Sequence, residues 1–492
     1  MLKNQSESKD LAKILPKRLH VIGICGVATS ALAIAFHKRG VKVTGSDKGF
    51  FPPVSTELEK QGIPFYAGWH PEKMAENGRP DLIMAGGSGT SLSNPEIVFA
   101  KEQNIPICSF AEALGNHVVK ERSIVAAGTW GKTSNSAMLS FIFIQAGINP
   151  SYFTGGVSLS HASAEITDSD WSIVEGDEYQ AAIWDRKAKF FYYKPTHLLL
   201  SAVSWDHADL YPTEADYFVT FKKLLGEIPT SGLVVACADD EGVMKIIDPY
   251  KGRKIFYGRT RMGSSKTSGE VRPRIEYAYK NVSQSSQGLH LTITHDGQEF
   301  EVHSPMLGLF QSENITGCFA MACESGIEPE KIVEAISRFK GLKRRMEKRL
   351  DGGGVTVIDD IAHSPEKAES VLNTLRSIYS GKIIAVFEPN SGGRERGASA
   401  KYDNAFRDAD MVVIPRLTKL KVSEDQLKSN RPIEGDELAA IIGKTHPDSR
   451  YIEDDAALVD FLISNAKKGD LIAFLGSHGF RGMIEEVTNK LV

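Results

Sequence analysis

Short apolar runs alternate along the chain with longer segments in which apolar residues recur every three or four positions. The runs are typical of buried strands, and the longer segments are typical of amphipathic helices. Residues 81–84, 197–203 and 470–475 are such runs, and 455–465 is such a helical segment. Their alternation predicts an α/β fold in which parallel sheets are covered by helices.

The chain of 492 residues is long enough to bury three separate cores. Beyond residue 341, expected strands at 355–358, 382–387 and 411–414 indicate a self-contained C-terminal domain. The polar stretch 259–300 is expected to contain a hairpin. The expected division is a flexible tail over 1–17, an N-terminal domain over 18–117, a central domain over 118–341 and a C-terminal domain over 342–492.

The composition narrows the range of partners and locations. A net charge of −4 gives no sign of a nucleic-acid or anionic-membrane partner. The five cysteines are scattered without CxxC spacing, which favours a reduced, cytoplasmic chain over a disulfide framework or a zinc site. No apolar run approaches the roughly 20 residues that a membrane-spanning helix needs. We expect a cytoplasmic protein without a membrane partner that acts on small molecules, as a monomer or weak homodimer.

The segment from Ser123 to Thr133 is an apolar strand that runs into a glycine-rich turn ending in lysine and threonine, followed by a helical segment. Glycines allow backbone N–H groups to converge on phosphate oxygens, and the helix presents its positive end to them. Lys132 can neutralise the β- and γ-phosphates of ATP, and Thr133 can ligate Mg²⁺. The first glycine of the usual spacing would fall at Ala126. The residues expected to hold ATP here are Gly128, Thr129, Gly131, Lys132, Thr133 and Ser134.

Carboxylates and a histidine follow two further strands of the central domain. Glu175 follows the apolar run 171–174, at the strand end where α/β folds bind ligands. Because Mg²⁺ prefers oxygen ligands, Glu175 is expected to complement Thr133 at a metal site. His207 stands between two aspartates after the run 197–203, which favours contact with a metal or a phosphate over a purely structural role.

A second glycine turn opens the N-terminal domain. Gly23-Ile-Cys25-Gly26 follows an apolar run, and Asp47 lies about twenty positions further on, as in the opening of a Rossmann unit. Cys25 stands where a dinucleotide fingerprint requires glycine, so the turn predicts diphosphate binding without specifying NAD(P). Asp47 is either an acceptor for a sugar hydroxyl or a solvated residue. A further glycine-rich stretch, with Ser88 and Asn94, either closes over the same ligand or is a flexible loop.

Five motifs, taken in order, resemble the Mur ligase family. They are Gly128-Thr-Trp-Gly-Lys-Thr133, Glu175-Gly-Asp-Glu-Tyr179, Asp206-His-Ala-Asp209, Lys343-Arg-Arg-Met-Glu347 and Asp359-Asp-Ile-Ala-His363-Ser-Pro365. The resemblance extends over almost the whole chain. Less specific motifs, such as Phe387-Glu-Pro389, favour the branch that attaches a tripeptide to UDP-N-acetylmuramate in peptidoglycan recycling. The branch that attaches L-alanine is the alternative.

The resemblance implies three domains: a Rossmann-like UDP-sugar domain, a central ATPase domain and a C-terminal Rossmann-like domain that brings the amine. It also implies an ATP-dependent amide ligase that forms an acyl phosphate. Lys132, His207, Asp360 and His363 are the catalytic candidates, and His207 is expected to bind a second metal. The remaining expected contacts are Asn314, Arg344 and Arg345 for ATP; Gly23, Cys25, Gly26, Asp47, Ser88 and Asn94 for the UDP-sugar; and Asn390, Ser391, Ser477, His478 and Arg481 for the peptide or amine.

Alternatives stay open for several of these residues. Arg344 and Arg345 either contact a nucleotide phosphate through their planar guanidinium groups or form a solvated hinge. Gln311 stands where the family has asparagine, and Asn390 where the recycling branch tends to have arginine. A non-catalytic protein that binds nucleotide or UDP-sugar is therefore a second hypothesis. A nicotinamide oxidoreductase is a third, but it leaves the loop at Lys132 unexplained.

Overall fold

The computed structural model describes residues 14–50, 52, 54–76, 78–86, 90–260, 273–351, 354–420 and 431–492. Most of the expected tail, 1–17, therefore lies outside the described residues. The described chain divides into two compact units. The first contains the chain up to Val282 together with His290–Ser304 and Phe310–Lys340, and the second contains Ser283–Leu289, Pro305–Leu309 and Gly341–Val492.

The first unit begins with a five-stranded parallel sheet in the order β3-β2-β1-β4-β5. Its strands are β1 (Arg18–Ile22), β2 (Lys42–Asp47), β3 (Phe65–Ala67), β4 (Leu82–Ala85) and β5 (Ile107–Ser109). Its helices are α1 (Val27–Lys38), α2 (Val54–Lys60), α3 (Pro71–Glu76), α4 (Pro95–Glu102) and α5 (Phe110–His117). The strand order is that of a dinucleotide-binding half, in which ligands meet the carboxyl ends of the strands.

A second, ten-stranded sheet follows in the same unit. Its strands are β6 (Arg122–Ala127), β7 (Ser151–Phe153), β8 (Ala164–Glu165), β9 (Trp171–Gly176), β12 (His197–Leu200), β13 (Leu233–Cys237), β14 (Arg253–Arg259), β15 (Tyr277–Ser285), β16 (Gly288–His295) and β17 (Gln298–Ser304), with a separate ribbon of β10 (Gln180–Ala182) and β11 (Asp185–Ala188). The helices are α6 (Lys132–Gln145), α7 (Glu214–Glu227), α8 (Glu241–Ile246), α9 (Gln311–Glu324) and α10 (Pro329–Arg338).

The order of this sheet, β17-β16-β15-β14-β13-β12-β6-β9-β7-β8, puts β6 at its centre between β12 and β9. All three strands are parallel, so their carboxyl ends lie at one edge. β6 and β12 are almost wholly buried because helices cover both faces of the sheet, which explains their unbroken apolar sequences. The motifs that begin at Gly128 and Glu175, and the segment from Ser201 that leads to His207, all start at this edge.

The two sheets of the first unit share one continuous core. Phe110 of α5 packs edge-on against Phe153 of β7, with ring centroids 5.1 Å apart. Phe36 of α1 meets the ring of His117 at the end of α5, with centroids 5.2 Å apart. α5 therefore links the first sheet to the second.

The second unit contains a six-stranded sheet in the order β18-β19-β23-β20-β21-β22, parallel except for β18. Its strands are β18 (Glu347–Leu350), β19 (Thr356–Asp360), β20 (Ile383–Glu388), β21 (Met411–Pro415), β22 (Ser449–Ile452) and β23 (Leu471–Gly476). Its helices are α11 (Pro365–Ile378), α12 (Gly435–Ile442), α13 (Asp455–Asn465) and α14 (Met483–Leu491). Apolar clusters cover both faces. The predicted α/β class is confirmed.

Candidate functional site

The turn after β6 has the shape of a phosphate-binding loop. Gly128 and Gly131 adopt φ angles of +138° and +84°, which side chains rarely allow. A Cβ atom at Gly128 would lie 2.5 Å from Ser201 Oγ. The Thr129 N–H donates to the Ala202 carbonyl at 2.8 Å, so the stretch after β12 wraps around the loop. This wrapping ends β12 at Leu200, earlier than the expected strand 197–203.

The helix α6 begins at Lys132, and Glu178 binds the ammonium group of this lysine. Lys132 Nζ lies 2.9 Å from both carboxylate oxygens of Glu178, whose side chain is fully buried. The Tyr217 hydroxyl donates to the same carboxylate at 3.2 Å. Burial raises the pKa of Glu178, and the neighbouring Lys132 opposes that shift. Lys132 is thereby fixed at the mouth of the loop beside an acidic group that the sequence predictions did not include.

Thr133 and Glu175 form the second polar contact of α6. The Thr133 hydroxyl donates to Glu175 Oε1 at 2.9 Å, and the Gly155 N–H donates to Oε2 at 2.6 Å. Burial raises the pKa of Glu175, while both hydrogen bonds oppose the shift. Among the described residues, no three His, Cys, Asp or Glu side chains are grouped as ligands of one ion. Two oxygen ligands fit Mg²⁺, which usually takes its other ligands from water and phosphate.

His207 also lies beside Glu178. Its Nε2 atom is 3.7 Å from Glu178 Oε1, and its ring packs edge-on against Tyr179 with centroids 5.0 Å apart. The residue has a φ angle of +56°, and its N–H donates to Asp206 Oδ1 at 2.7 Å. The backbone therefore holds the imidazole towards the carboxylate that also holds Lys132.

Two amides stand beside the loop on the first turn of α9. Asn314 Nδ2 donates to Gln311 Oε1 at 3.0 Å, and both side chains are buried. A Cβ atom at Gly131 would lie 2.6 Å from Asn314 Oδ1. Thr129 Oγ1 donates to the Ser204 carbonyl at 2.8 Å, and Ser134 lies half-buried in the first turn of α6. The structure thus brings together the expected ATP contacts of the central domain.

The glycine turn of the first sheet is closed by residues of β2. Gly23 has a φ angle of +80°, and its N–H and that of Ile24 donate to the Ser46 carbonyl at 2.8 and 3.1 Å. The Cys25 N–H donates to Asp47 Oδ2 at 2.8 Å. These N–H groups are therefore engaged within the turn, whereas the first N–H groups of α1, which begins after Gly26, have no partner within the helix.

Asn94 caps α4, because its Oδ1 accepts the Glu96 N–H at 2.9 Å. Ser88 lies outside the described residues. The other expected UDP-sugar contacts, Gly23, Cys25, Gly26 and Asp47, lie together at the carboxyl ends of β1 and β2. Their role as contacts remains a prediction.

In the second unit, Arg344 joins the start of the domain to the loop after β23. Its guanidinium donates to Asp359 Oδ1 at 3.3 Å, to the carbonyls of Ser477 and His478 at 3.0 and 2.9 Å, and to the Gly476 carbonyl. Asp359 is buried, and burial raises its pKa against the pull of Arg344 and Arg349. Arg345, the next residue, is exposed.

Asp360 and His363 follow β19. The carboxylate of Asp360 accepts the N–H groups of Met346 and Ala362, each at 2.8 Å, and so shapes the chain on both sides. His363 Nδ1 lies 2.7 Å from the Ile361 carbonyl, which makes Nδ1 the protonated nitrogen. Burial lowers the pKa of His363, so its Nε2 is unprotonated at neutral pH and can accept a hydrogen bond.

The other expected amine contacts lie at the same edge of the sheet. The Asn390 N–H donates to the His363 carbonyl at 3.1 Å, and Ser391 beside it is exposed. Ser477 Oγ lies 3.0 Å from His478 Nδ1. The guanidinium of Arg481 is held by three carboxylate oxygens: Nε and one terminal nitrogen bind Asp455 at 2.8 and 2.9 Å, and the other lies 3.5 Å from buried Glu388.

Two buried carboxylates were missed from the sequence as site residues. Glu178 was visible only as part of an acidic motif, and nothing local indicated that its partner would be Lys132. Glu96 stands two residues after Asn94 in the sequence, and the structure buries it and bonds it to Ser46, Tyr66 and His70. Glu178 and Glu96 each bind partners that are distant from them in sequence.

No helix in the described part of the chain is both long and apolar enough to cross a membrane. Three family models match in chain order: the Mur ligase family catalytic domain at residues 18–122, the Mur ligase middle domain at 126–322, and the Mur ligase glutamate ligase domain at 344–478. Together they cover each of the three sheets.

Full-length relatives agree with these matches. The chain is 30% identical to the UDP-N-acetylmuramate–L-alanyl-γ-D-glutamyl-meso-2,6-diaminoheptandioate ligase of Escherichia coli K12, over 96% of this chain and 98% of that protein. It is also 30% identical to the UDP-N-acetylmuramate–L-alanine ligase of Paenarthrobacter aurescens, over 94% of each. The solved UDP-N-acetylmuramate–alanine ligase of Thermotoga maritima superposes with a TM-score of 0.74 at 21% identity, covering 96% of this chain and 98% of that one.

The fold and the loop at Lys132 define an ATP-dependent ligase that forms carbon–nitrogen bonds. The chain belongs to the Mur ligase family, and the resemblance seen in its motifs is confirmed.

Proposed function

We propose that the protein joins L-Ala-γ-D-Glu-meso-diaminopimelate to the carboxylate of UDP-N-acetylmuramate, with ATP as the energy source. The observation that carries this proposal is the pairing of a phosphate loop with full-length similarity to a ligase of that specificity. The similarity to L-alanine ligases is equally extensive, and it supports L-alanine as the second candidate for the amine.

The proposed reaction has two steps. A carboxylate oxygen of the sugar attacks the γ-phosphorus, the bond to the β-phosphate oxygen breaks, and ADP leaves. The amine nitrogen then attacks the acyl carbon, loses a proton and expels inorganic phosphate. Because phosphoryl transfer depends on positioning and charge neutralisation, Lys132 supplies the protein's cation at the phosphates, and the N–H groups at the start of α6 orient them.

Thr133 and Glu175 are the residues that would hold Mg²⁺, which screens the charge of the triphosphate when it is bound. His207 contributes a nitrogen beside Glu178. In the second unit, His363 offers the unprotonated Nε2 that can accept a hydrogen bond from the amine. Arg481, which Asp455 and Glu388 hold, is the candidate to face a carboxylate of the peptide.

A ligation assay decides between the two amines. The enzyme is incubated with UDP-N-acetylmuramate, ATP and Mg²⁺, and then with either L-alanine or the tripeptide, and the product is identified by mass spectrometry. We expect phosphate release and a product of the tripeptide's added mass, with kcat/KM at least about a hundredfold higher than for L-alanine. Omitting the amine should stop the release of phosphate.

Product from L-alanine alone would contradict the choice of amine but keep the ligase. ATP binding without product from either amine would instead favour the non-catalytic hypothesis. That hypothesis is based on Gln311, which stands beside the loop where the family has asparagine.

A further inference from the structure

Glu96 is a charged residue in the interior of the N-terminal domain, and three elements bind it. It lies in the first turn of α4, and its side chain is fully buried. Its carboxylate accepts the Ser46 hydroxyl at 2.5 Å, the Tyr66 hydroxyl at 2.6 Å and the His70 N–H at 2.9 Å. His20 Nε2 of β1 lies 3.5 Å away. Burial alone would raise the pKa of Glu96, but the neighbouring His20 imidazole and the hydrogen bonds from Ser46 and Tyr66 lower it, so the group is a carboxylate.

Ser46 connects this carboxylate to the glycine turn after β1. Its hydroxyl binds Glu96, while its carbonyl accepts the N–H groups of Gly23 and Ile24. The next residue, Asp47, accepts the Cys25 N–H. The turn is also packed tightly on β2, because a Cβ atom at Gly45 would lie 2.5 Å from the Ile24 side chain. A change in the position of residue 46 must therefore move the turn.

We propose that Glu96 is a positioning residue for the UDP-sugar, because it fixes Ser46 and through Ser46 the turn from Gly23 to Gly26. This inference rests on the proposed function, which places the diphosphate at that turn. Glu96 is buried and does not reach the ligand itself. It sets where the first N–H groups of α1 lie, and diphosphate binding depends on that placement.

The inference is tested by calorimetric titration of the full-length protein with UDP-N-acetylmuramate in the absence of ATP. Ser46→Ala removes the hydroxyl that links Glu96 to the turn but keeps the carbonyl that closes it. Glu96→Gln removes the charge. We expect each variant to raise the Kd roughly tenfold, the usual effect of one misplaced set of hydrogen bonds, while the KM for ATP stays within about twofold.

Ser109→Ala is the matched control for a purely structural effect. Ser109 is also fully buried in the same domain, and among the described residues its side chain bonds only at the start of α5, where it accepts the Glu112 N–H at 3.2 Å. It should lower the melting temperature and leave the Kd unchanged. If Glu96→Gln does not fold, Ser46→Ala carries the test, since it is the smaller change.

Asp47→Ala separates the inference from the proposed function. If Asp47→Ala weakens UDP-sugar binding while Ser46→Ala and Glu96→Gln behave like Ser109→Ala, Glu96 is not a positioning residue. If Asp47→Ala also leaves the Kd unchanged, the placement of the UDP-sugar at this turn is itself wrong.

Discussion

The position of Lys132 depends on its ion pair with Glu178, just as the phosphate loop depends on Lys132 for its positive charge. The ammonium group is largely buried, and the carboxylate opposite it is wholly so. Taking two charges from water is costly, and their attraction repays the cost only while both are present. Glu178 is also bonded by Tyr217, which is bonded in turn to Thr129 of the loop. A substitution at Lys132 therefore changes the stability of the domain as well as its chemistry.

We predict that Lys132→Ala abolishes turnover and lowers the free energy of unfolding by about 2 to 4 kcal/mol, because Glu178 is left as a buried, unpaired charge. Affinity for UDP-N-acetylmuramate should stay nearly intact, since the first sheet supplies its expected contacts. Urea denaturation, a phosphate-release assay and sugar titration measure the three quantities separately.

The double variant Lys132→Ala with Glu178→Gln is the control. It should recover most of the lost stability and none of the activity. Equal stability of the single and double variants would show that the uncompensated charge of Glu178 is not the cause of the lost stability, and parallel loss of sugar binding would contradict the separation of the two sites.

At the scale of elements, the sequence predicted what is local and missed what depends on strand order. The predicted strand 171–174 lies within β9, and the predicted helix 455–465 is α13. Both could be predicted because burial and helical periodicity can be recognised from consecutive residues. The loop at Gly128 was predicted for the same reason. The pair Lys132–Glu178 was not predicted, because it requires β9 to lie next to β6. The contacts of Glu96 were not predicted either, because they require three separate elements to meet.

The loop after β23 and the segment before β18 are held together by one side chain, Arg344. Its planar guanidinium reaches three consecutive carbonyls and Asp359 at once. Lysine keeps the charge but is a point donor on a flexible stem, so it cannot make this set of bonds. The backbone at residue 344 is left-handed, with a φ angle of +57°, and relies on these bonds to stay so.

We predict that Arg344→Lys lowers the free energy of unfolding by about 1 to 3 kcal/mol, because buried Asp359 and the carbonyls of residues 476–478 lose their shared planar donor. Thermal denaturation and hydrogen exchange at residues 476–478 report the effect. Arg345→Lys is the matched control, since Arg345 is exposed, and it should leave both readouts unchanged. Equal behaviour of the two variants would show that the bonds of Arg344 do not hold the loop.

At the scale of the whole molecule, the first unit contains histidines that are neutral in the folded state. Burial lowers the pKa of His117 to about 4, with Lys120 adding to the shift. Burial likewise lowers the pKa of His197 to about 4, with Arg122 nearby. His117 Nδ1 is buried without a hydrogen-bond partner among the described residues, so protonation there has nothing to stabilise it. His197 Nδ1, in contrast, has the Thr196 hydroxyl at 2.8 Å.

These shifts make the stability of the molecule depend on pH in a defined window. In the unfolded chain a histidine takes up its proton near pH 6.5, whereas in the folded unit it does so only near pH 4. The unfolded state therefore binds more protons between these values, and stability falls as the pH falls from 7 towards 4. Above pH 7 both states are neutral at these histidines, and their contribution is constant.

We predict that His117 alone accounts for roughly 1 to 2 kcal/mol of the stability lost between pH 7 and pH 5. The check is urea denaturation of the wild type and His117→Gln at both pH values, comparing the difference between the two pH values within each protein. His117→Gln should show a smaller loss on acidification, whatever its own stability at pH 7, because glutamine cannot take up a proton. His37→Gln is the control, since that residue is only half-buried in the last turn of α1. An unchanged acid-induced loss in His117→Gln would mean that His117 is protonated in the folded protein as readily as in the unfolded chain.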